Sequence, residues 1–444
     1  MEWNIPHGNI MFKVVEMFSG IGAQAKALER LGADFEIINT CDWDINAIIA
    51  YCRIHNGGID TSISKDKTDE QIELFLKNKT LSMDGKKPLS EIAFKRLSPE
   101  FKRLLYSAIK QTRNFVSITD VHGDDILGNA DLLTYSFPCQ DLSLCGCWHG
   151  NKSGIARDAH NRSGMLWEVE RILKEMHLAK RQLPKFLVME NVTNILSTTH
   201  KKDFDDWKST LVKLGYVNHI YRLNAKNFGV PQKRERAYMI SILSNGDSKK
   251  EKLIEQYFKA NNLEDDLVAR DYRNRTFCLK DVLRLDYKKV QYRVEANLSQ
   301  PNNTPSRIKI FEENDLLFDG KSINEICVNT VTTKQDRNPN SGLIAYDNGA
   351  EGKAKWRYLT PRECFMLMGF DERDYDAVTC DNPEYKKNYK LLTNEKLIKM
   401  AGNSICVDVL EALFKQLIEL NDLLGSKIYT FNCTKKEELK REQA

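Results

Sequence analysis

The stretch FKVVEMFSGIG, residues 12–22, decides the fold. Its apolar first half is typical of a buried strand, and its two glycines predict a tight turn. A helix over 23–31, a strand over 35–41 and a helix over 44–55 are expected to follow. Because strands that alternate with helices form parallel sheets with helical crossovers, this region predicts an α/β fold.

The same alternation marks the domains. It is interrupted by a lysine-rich segment at about 61–112, which we interpret as an insertion at the periphery of the sheet, with helical stretches near 69–77 and 99–110. The alternation then resumes as far as residue 243. Residues 244–355 are polar and rich in asparagine, lysine and arginine, and they predict a smaller second domain of irregular or β-rich structure. Helical patterns return after this block, so residues 356–444 are expected to complete the first domain, 1–243.

Composition excludes several classes of protein. The chain has 444 residues, 41% of them hydrophobic, which is typical of a two-domain globular protein. No apolar run reaches the roughly 20 residues of a membrane span, and the first residues lack the features of a secretory signal. The 11 cysteines, an odd number, are then expected to be free thiols in a reducing cytoplasm. A net charge of +4 is too small to indicate nucleic-acid binding by itself.

The glycine turn stands where a fold of this type holds a ligand. Gly20 and Gly22 let the backbone pass close to a cofactor, but Ala25 replaces the third glycine of the phosphate-binding pattern. Asp42 and Trp43 end the next strand, where an acid can hold ribose hydroxyls and an aromatic ring can lie against adenine. The alternatives are a turn without a ligand and an Asp42 that caps the following helix.

A cysteine and a glutamate follow two later strands. In LLTYSFPCQDLS, residues 132–143, the apolar run ends at Pro138 and Cys139, so the thiol is expected at an exposed turn. A thiolate there is a nucleophile. Glu190 ends a further strand, where its pKa can rise and let it share a proton near neutral pH. The alternative is that Glu190 caps a helix.

Two arginines alternate with other residues before the next strand. Gln232, Arg234 and Arg236 share one side of an extended chain, and the guanidinium groups suit phosphate or carbonyl oxygens. The alternative is a solvated charged face. Cys145 and Cys147 have no second pair at zinc spacing, so no metal site is expected.

These segments form a longer series along the chain. The series is FxGxG at 18–22, DW at 42–43, PCQ at 138–140, RSGMLW at 162–167, ENV at 190–192, QxRxR at 232–236, PRE at 361–363 and GNS at 402–404. In this order they resemble the cytosine-C5 DNA methyltransferases. The core sequence is most similar to that of the bacterial enzymes that methylate CG. The resemblance covers about residues 12–243 and 356–420.

The resemblance implies a fold and a reaction. The fold is the Rossmann-like sheet of methyltransferases that use S-adenosylmethionine, with 244–355 as the target-recognition domain. The reaction is DNA (cytosine-5)-methylation, in which Cys139 attacks C6 of a flipped-out cytosine. Glu190 would bond N3 and the exocyclic amine of the base. Arg236 would contact cytosine O2, and Arg234 would support the closed loop and a phosphate.

The resemblance also implies a cofactor. S-Adenosyl-L-methionine would be the methyl donor and S-adenosyl-L-homocysteine the product. The residues expected to contact it are Phe18, Gly20, Gly22, Asp42, Trp43, Ser117, Ile118, Pro138, Leu166 and Asn403. Ser117 and Ile118 stand where the family often has an acid before an isoleucine, so the contact to the adenine amino group stays open.

Double-stranded DNA is the implied partner. The residues expected to contact it are Gln140, Ser143, Gln232, Thr330, Lys334 and Arg337. The protein is expected to be a cytoplasmic monomer without membrane attachment, associated with the bacterial nucleoid through DNA. The implied setting is a bacterial or phage restriction-modification or DNA-protection system, and whether a restriction endonuclease acts on the same site stays open.

Three other functions remain as alternatives. A branch of the family methylates tRNA, but its recognition region is compact, whereas about 110 residues separate the arginine segment from Pro361 here. A catalytically silent DNA-binding relative would lack the nucleophile or the glutamate, and both Cys139 and Glu190 are present. A nicotinamide dehydrogenase is disfavoured by the missing third glycine.

Overall fold

The structure is a computed structural model that describes residues 12–126, 129–138, 142, 155 and 162–425. Its strands are β1 (Phe12–Met17), β2 (Phe35–Cys41), β3 (Leu132–Tyr135), β4 (Phe186–Val192), β5 (Tyr216–Asn224), β6 (Gln232–Lys233), β7 (Glu235–Leu243), β8 (Leu316–Phe318), β9 (Val328–Asn329), β10 (Leu343–Ala345), β11 (Trp356–Arg357), β12 (Glu384–Lys386) and β13 (Tyr389–Lys390).

The α-helices of the described residues are α1 (Ala23–Arg30), α2 (Ile45–His55), α3 (Asp69–Lys77), α4 (Glu91–Lys95), α5 (Pro99–Gln111), α6 (Leu166–Leu178), α7 (Lys201–Lys213), α8 (Ser248–Ala260), α9 (Asp266–Tyr272), α10 (Leu279–Val282), α11 (Val290–Ser299), α12 (Pro305–Glu312), α13 (Pro361–Leu367), α14 (Glu372–Thr379), α15 (Asn394–Asn403) and α16 (Val407–Gly425). Short 3₁₀ turns join several of them.

A six-stranded sheet forms the centre of the molecule, in the order β2-β1-β3-β4-β7-β5. The first four strands in this order run parallel to one another, which confirms the predicted α/β fold. Strand β7 runs antiparallel to both of its neighbours. Only residues 225–234 separate β5 from β7, too few for the crossover helix that a parallel pair requires, so the sheet is mixed.

Helices cover both faces of the sheet. Along β1, the side chain of Val14 belongs to one apolar cluster and that of Val15 to the other, as the alternation of a strand requires. The first cluster includes residues of α1, α2, α5 and α16, and the second includes residues of α6 and α7. The turns at the carboxyl edge of the sheet therefore follow strands that are packed on both faces.

The insertion at 61–112 is helical and packed. Helices α3 and α5 lie where the charged segment predicted helices, and their apolar faces meet the first cluster through Ile72, Phe101 and Leu105. Ser98 caps α5 by accepting a hydrogen bond from Phe101 N. The segment therefore packs against the helices and strands of the first apolar cluster.

The polar block at 244–355 differs from the β-rich expectation. It contains the five helices α8 to α12, and its strands β8, β9 and β10 are only two or three residues long. Helix α8 buries Ile254 and Phe258 on one face, and the Phe258 ring stacks on His219 of β5 at 4.1 Å. Polar surface residues concealed this helical periodicity in the sequence. The boundaries at 243 and 355 stay predictions.

A membrane span requires a helix of sufficient length and apolarity. None of the helices within 12–126, 129–138 and 162–425 is both long and apolar enough to cross a bilayer.

Candidate active site

A cavity of about 370 Å³ opens at the carboxyl edge of the parallel strands. This is the edge at which open α/β sheets bind ligands. The predicted site residues in its wall are Phe18, Gly20, Asp42, Trp43, Ser117, Ile118, Pro138, Glu190, Arg234, Arg236 and Asn403. The cavity therefore brings together segments that are up to 385 residues apart in the chain, from Phe18 to Asn403.

The glycine turn after β1 uses its two glycines differently. Gly20 has a φ of +55°, and a Cβ atom built on it would meet nothing within 4 Å, so the backbone faces open space. Gly22 has a φ of +78°, and a Cβ atom there would lie 2.2 Å from His55 Nε2. Gly20 thus exposes backbone to a ligand, whereas Gly22 is needed for packing and lies outside the cavity wall.

Asp42 is held by the backbone around it. Its Oδ2 accepts a hydrogen bond from Gly20 N at 2.9 Å, and its Oδ1 accepts one from Asp44 N at 2.8 Å. Burial and the nearby Asp44 carboxylate raise the pKa of Asp42 to about 6, although the two amide bonds oppose this shift. The cap of α2 is Asp44, whose carboxylate accepts from Asn46 N, so Asp42 is not used as the helix cap.

The segment after α5 brings Ser117 and Ile118 to the cavity through a strained turn. Val116 has a φ of +76°, a rare conformation for a β-branched residue. Asn114 holds it, because Asn114 Oδ1 accepts hydrogen bonds from Val116 N at 2.7 Å and Asp42 N at 3.2 Å. The Ser117 hydroxyl pairs with Thr119 Oγ1 at 2.7 Å.

Glu190 and Arg236 form a charge pair at the other end of the cavity, because Glu190 lies near the end of β4 and Asp42 follows β2, three positions away in the strand order. Arg236 Nε lies 3.3 Å from Glu190 Oε1. Because β7 runs antiparallel, its beginning meets the end of β4, and Val192 pairs with Arg236 two positions beyond Glu190. Burial raises the pKa of Glu190, while Arg236 and Arg234 act in the opposite direction. Burial therefore favours the neutral carboxylic acid more than it would in a solvent-exposed glutamate.

Arg234 holds three backbone carbonyls. Its Nη1 donates to Val331 O at 3.1 Å, and its Nη2 donates to Gly402 O at 3.1 Å and to Ser404 O at 2.7 Å. The residue is only 4% exposed, and burial lowers its pKa to about 10. Arg234 thus joins the polar block at 244–355 to the segment around Asn403.

Gln232, predicted to contact DNA, is fully buried in this structure. Its Nε2 donates to Leu367 O at 2.8 Å, and its Oε1 accepts from Val331 N at 2.9 Å. The alternation along the chain, with Gln232, Arg234 and Arg236 inward and Lys233 and Glu235 outward, agrees with the burial pattern. The inward side is protein interior, so Gln232 positions the chain.

Leu166 also lies elsewhere than predicted. Its side chain is fully buried in the apolar cluster of α6, and the preceding residue, Met165, lines the cavity instead. Leu166 is the first residue of α6, and its side chain points to the core that the helix covers.

The residues predicted to read DNA that the structure describes within 244–355 are half-buried or exposed. Thr330 Oγ1 donates to Lys233 O at 2.8 Å, and Lys334 is exposed. Arg337 pairs with Asp336 at 2.8 Å and with Glu395 at 3.0 Å, so its charge is already compensated. Cys139, Gln140 and Ser143 lie outside the described residues.

The sequence missed several residues of the cavity wall. Lys399, Thr80 and Gly85 line it, and the last two belong to the insertion. No local pattern marks them, because they reach the cavity only through contacts between distant segments. Within the described parts of the chain, no group of three or more histidine, cysteine or acidic side chains could hold a metal ion.

Comparison with known proteins identifies relatives along nearly the whole chain. The family model for C-5 cytosine-specific DNA methylase matches residues 12–85 and 76–419. The orphan methyltransferase M.SssI of Spiroplasma monobiae is 34% identical over 419 residues, which cover 91% of this chain and 97% of that protein. The type II methyltransferase M2.ScrFI of Lactococcus lactis subsp. cremoris is 30% identical over 414 residues, with coverages of 92% and 99%.

Solved structures share the fold. The Dnmt2 methyltransferase of S. pombe matches with a TM-score of 0.55 and 17% identity, over 93% of this chain and 99% of that one. The methyltransferase EhMeth of Entamoeba histolytica matches with a TM-score of 0.51 and 15% identity, over 94% and 100%. At these identities the likeness supports the architecture alone.

Proposed function

Because the chain belongs to the C-5 cytosine-specific DNA methylase family, we propose that it transfers the methyl group of S-adenosylmethionine to C5 of a cytosine flipped out of duplex DNA. The DNA (cytosine-5)-methyltransferase activity follows from the family. The cofactor, the covalent route and the roles of individual residues are the proposed part. The cytoplasm, where bacterial DNA lies, is the proposed location.

The cavity fits an adenosyl cofactor without a pyrophosphate. Its volume of about 370 Å³ is in the range of small-molecule sites. Asp42 would accept hydrogen bonds from the ribose hydroxyls, and the rings of Phe18 and Trp43 would pack against the adenine. The open space beside Gly20 lets the ligand approach the backbone. When bound, the cofactor supplies an electrophilic methyl group.

The charge pair at the other end suits a cytosine. Glu190, with its raised pKa, would donate a proton to N3 or share it, and its other oxygen would accept from the exocyclic amine. Arg236, 3.3 Å from Glu190, would donate to cytosine O2. Together these groups would stabilise the charge that develops on the ring after nucleophilic attack.

Cys139 would carry the covalent step. Its sulfur would form a bond to C6, the electrons displaced from the C5–C6 double bond would make C5 nucleophilic, and C5 would take the methyl group. Loss of the C5 proton to a base would then restore the double bond as the sulfur–C6 bond breaks. Pro138, the residue before Cys139, lines the cavity, which supports this assignment.

One observation carries the proposal. A single cavity has Gly20 and Asp42 in one wall and the Glu190–Arg236 pair in another, so a methyl donor and a flipped base can meet in it. A nicotinamide dehydrogenase would have no use for the charge pair.

The test compares two cysteine variants on duplex DNA of mixed sequence with radiolabelled S-adenosylmethionine. We expect Cys139→Ala to abolish methyl transfer and to leave DNA binding intact. The control, Cys380→Ala, removes an exposed thiol that belongs to none of the motifs and should behave as wild type. With DNA that contains 5-fluorocytosine, wild type should form a stable covalent complex and Cys139→Ala should form none.

The same assay decides the substrate class. Methylation of tRNA but not of duplex DNA would overturn the DNA assignment, and transfer by Cys139→Ala would overturn the covalent route. Reading which cytosines resist deamination after methylation would give the recognition sequence. One relative is named an orphan and the other a type II methyltransferase, so a restriction partner remains a separate proposal.

A further inference from the structure

The insertion contributes to the cavity although none of the motifs lies in it. Thr80 and Gly85 stand in the cavity wall beside Trp43, Asp44 and Lys399. We call residues 80–87, which contain both of them, the strap. The strap follows helix α3 and pairs with the chain that leads from β2 into α2.

Backbone hydrogen bonds attach the strap to the cofactor end of the cavity. Ser82 N donates to Trp43 O at 2.8 Å, and Ile45 N donates to Ser82 O at 2.9 Å, which makes a short parallel bridge. Asn46 Nδ2 donates to Met83 O at 2.9 Å. The strap is therefore positioned by the same residues that follow Asp42.

The strap also has internal order. The carboxylate of Asp84 accepts hydrogen bonds from Lys86 N at 2.9 Å and Lys87 N at 3.1 Å. The Ser82 hydroxyl accepts from Gly85 N at 3.0 Å. Such a turn keeps its shape without a ligand, so its inner face is a preformed wall.

A charge contact joins the strap to the far end of the chain. Lys399, on α15, places its Nζ 3.0 Å from Asp44 Oδ2 and donates to Asp84 O. Both side chains of the pair are largely buried, with exposures of 19% for Lys399 and 13% for Asp44. Four residues after Lys399, Asn403 lines the same cavity.

We propose that the strap is the outer wall of the ribose side of the cofactor site and that the Lys399–Asp44 ion pair holds it there. This inference rests on the proposed use of S-adenosylmethionine. Asp44 N donates to Asp42, the residue assigned to the ribose hydroxyls, so a displaced strap would disturb the cofactor and leave the Glu190 end unchanged. Lys399 acts as a positioning residue.

Gly85 offers a sharp test of this inference. Gly85 has a φ of +61°, and a Cβ atom on it would lie 2.8 Å from Asp44 Oδ2 and 3.0 Å from Lys399 Nζ. Gly85→Ala should therefore separate the ion pair. The matched control is Gly57→Ala, because Gly57 has a φ of +69° and open space for a Cβ atom. Both variants place an alanine at a positive φ, but only the Cβ atom of Gly85→Ala would collide with Asp44 and Lys399.

The measurement is calorimetric binding of S-adenosylmethionine to the full-length protein without DNA. We expect Gly85→Ala to weaken binding by about tenfold relative to Gly57→Ala. Lys399→Met, which keeps the aliphatic stem and removes the charge, should weaken it to a similar degree. In both variants the KM for the cofactor should rise, while kcat at saturating cofactor and the affinity for DNA should match the controls.

Each outcome decides a point. If Gly85→Ala binds the cofactor within about twofold of Gly57→Ala and Lys399→Met within about twofold of wild type, the inference is overturned. If only Gly85→Ala binds the cofactor more weakly, the strap still forms part of the cofactor site, but the proposed role of the Lys399–Asp44 ion pair is overturned. If Gly85→Ala fails to fold, Lys399→Met decides. Wild type that binds no S-adenosylmethionine would instead overturn the proposed function.

Discussion

The two ends of the cavity hold their polar groups by different means. At the cofactor end, both oxygens of Asp42 already accept hydrogen bonds from backbone amides of fixed position. At the base end, Glu190 faces the guanidinium of Arg236 across 3.3 Å, and burial raises its pKa. The first end is preorganised by the backbone, and the second by charged side chains. Changes at the first should alter binding, whereas changes at the second should alter rate.

The largest effect is expected at the base end. Glu190→Gln keeps the shape of the side chain but removes the group that can hold a proton at N3 of cytosine. We expect single-turnover methyl transfer to fall by about 100- to 1000-fold, with unchanged affinity for S-adenosylmethionine. Asp42→Asn is the paired variant, and it should weaken cofactor binding with little change in the single-turnover rate at saturation. If both variants lost rate alone, the division between the two ends would be wrong.

The two arginines separate stability from catalysis. Arg234→Met leaves the carbonyls of Val331, Gly402 and Ser404 without their donor in a buried place. We expect it to lower the free energy of unfolding by about 2–4 kcal/mol, measured by urea denaturation.

Arg236→Met should cost less than about 1 kcal/mol, because its ion pair borders the cavity and burial of Glu190 favours the neutral acid. Its effect should instead be a slower transfer step. Equal stabilities for the two variants would contradict the structural role given to Arg234.

The smallest predicted effect is a pH dependence at the cofactor end. The pKa of Asp42 is raised to about 6 by burial and by Asp44, while Lys399 opposes the shift. Ribose hydroxyls donate to the ionised carboxylate, so binding below pH 6 must first release a proton. The association constant for S-adenosylmethionine should be constant above about pH 7 and should fall by up to about tenfold per unit below about pH 6.

Calorimetry between about pH 5 and about pH 8 measures this profile. Asp42→Asn should bind S-adenosylmethionine more weakly than wild type at about pH 8, and its association constant should change less with pH. A flat profile for wild type would show that Asp42 does not hold the ribose as its carboxylate.

The parts of the site that sequence patterns predicted are those carried by strand ends. The turn at Gly20, the acid at Asp42 and the glutamate at Glu190 each follow an apolar run, and the edge of a parallel sheet brings such positions together. The helical stretches predicted near 69–77 and 99–110 correspond to α3 and α5.

The remaining features depend on tertiary contacts that no local pattern records. Lys399 meets Asp44 across 355 positions of sequence, and Gln232 meets Leu367 across 135. Val116 has a φ of +76°, and this left-handed conformation could not be predicted because β-branched residues rarely adopt it. In the polar block at 244–355, the helix α8 was hidden by the polar residues around Ile254 and Phe258.

The strict in-and-out order of Gln232, Arg234 and Arg236 makes this segment sensitive to length rather than to composition. Suppose that Glu235 were deleted while β7 kept its pairing from Arg236 onward. Each preceding side chain would change sides. Lys233 would then occupy the buried position of Arg234 without its planar fork of donors, and the amide of Gln232 would turn outward from Leu367 and Val331. Relatives of this chain should accordingly vary in loop length on either side of this pentapeptide and not within it.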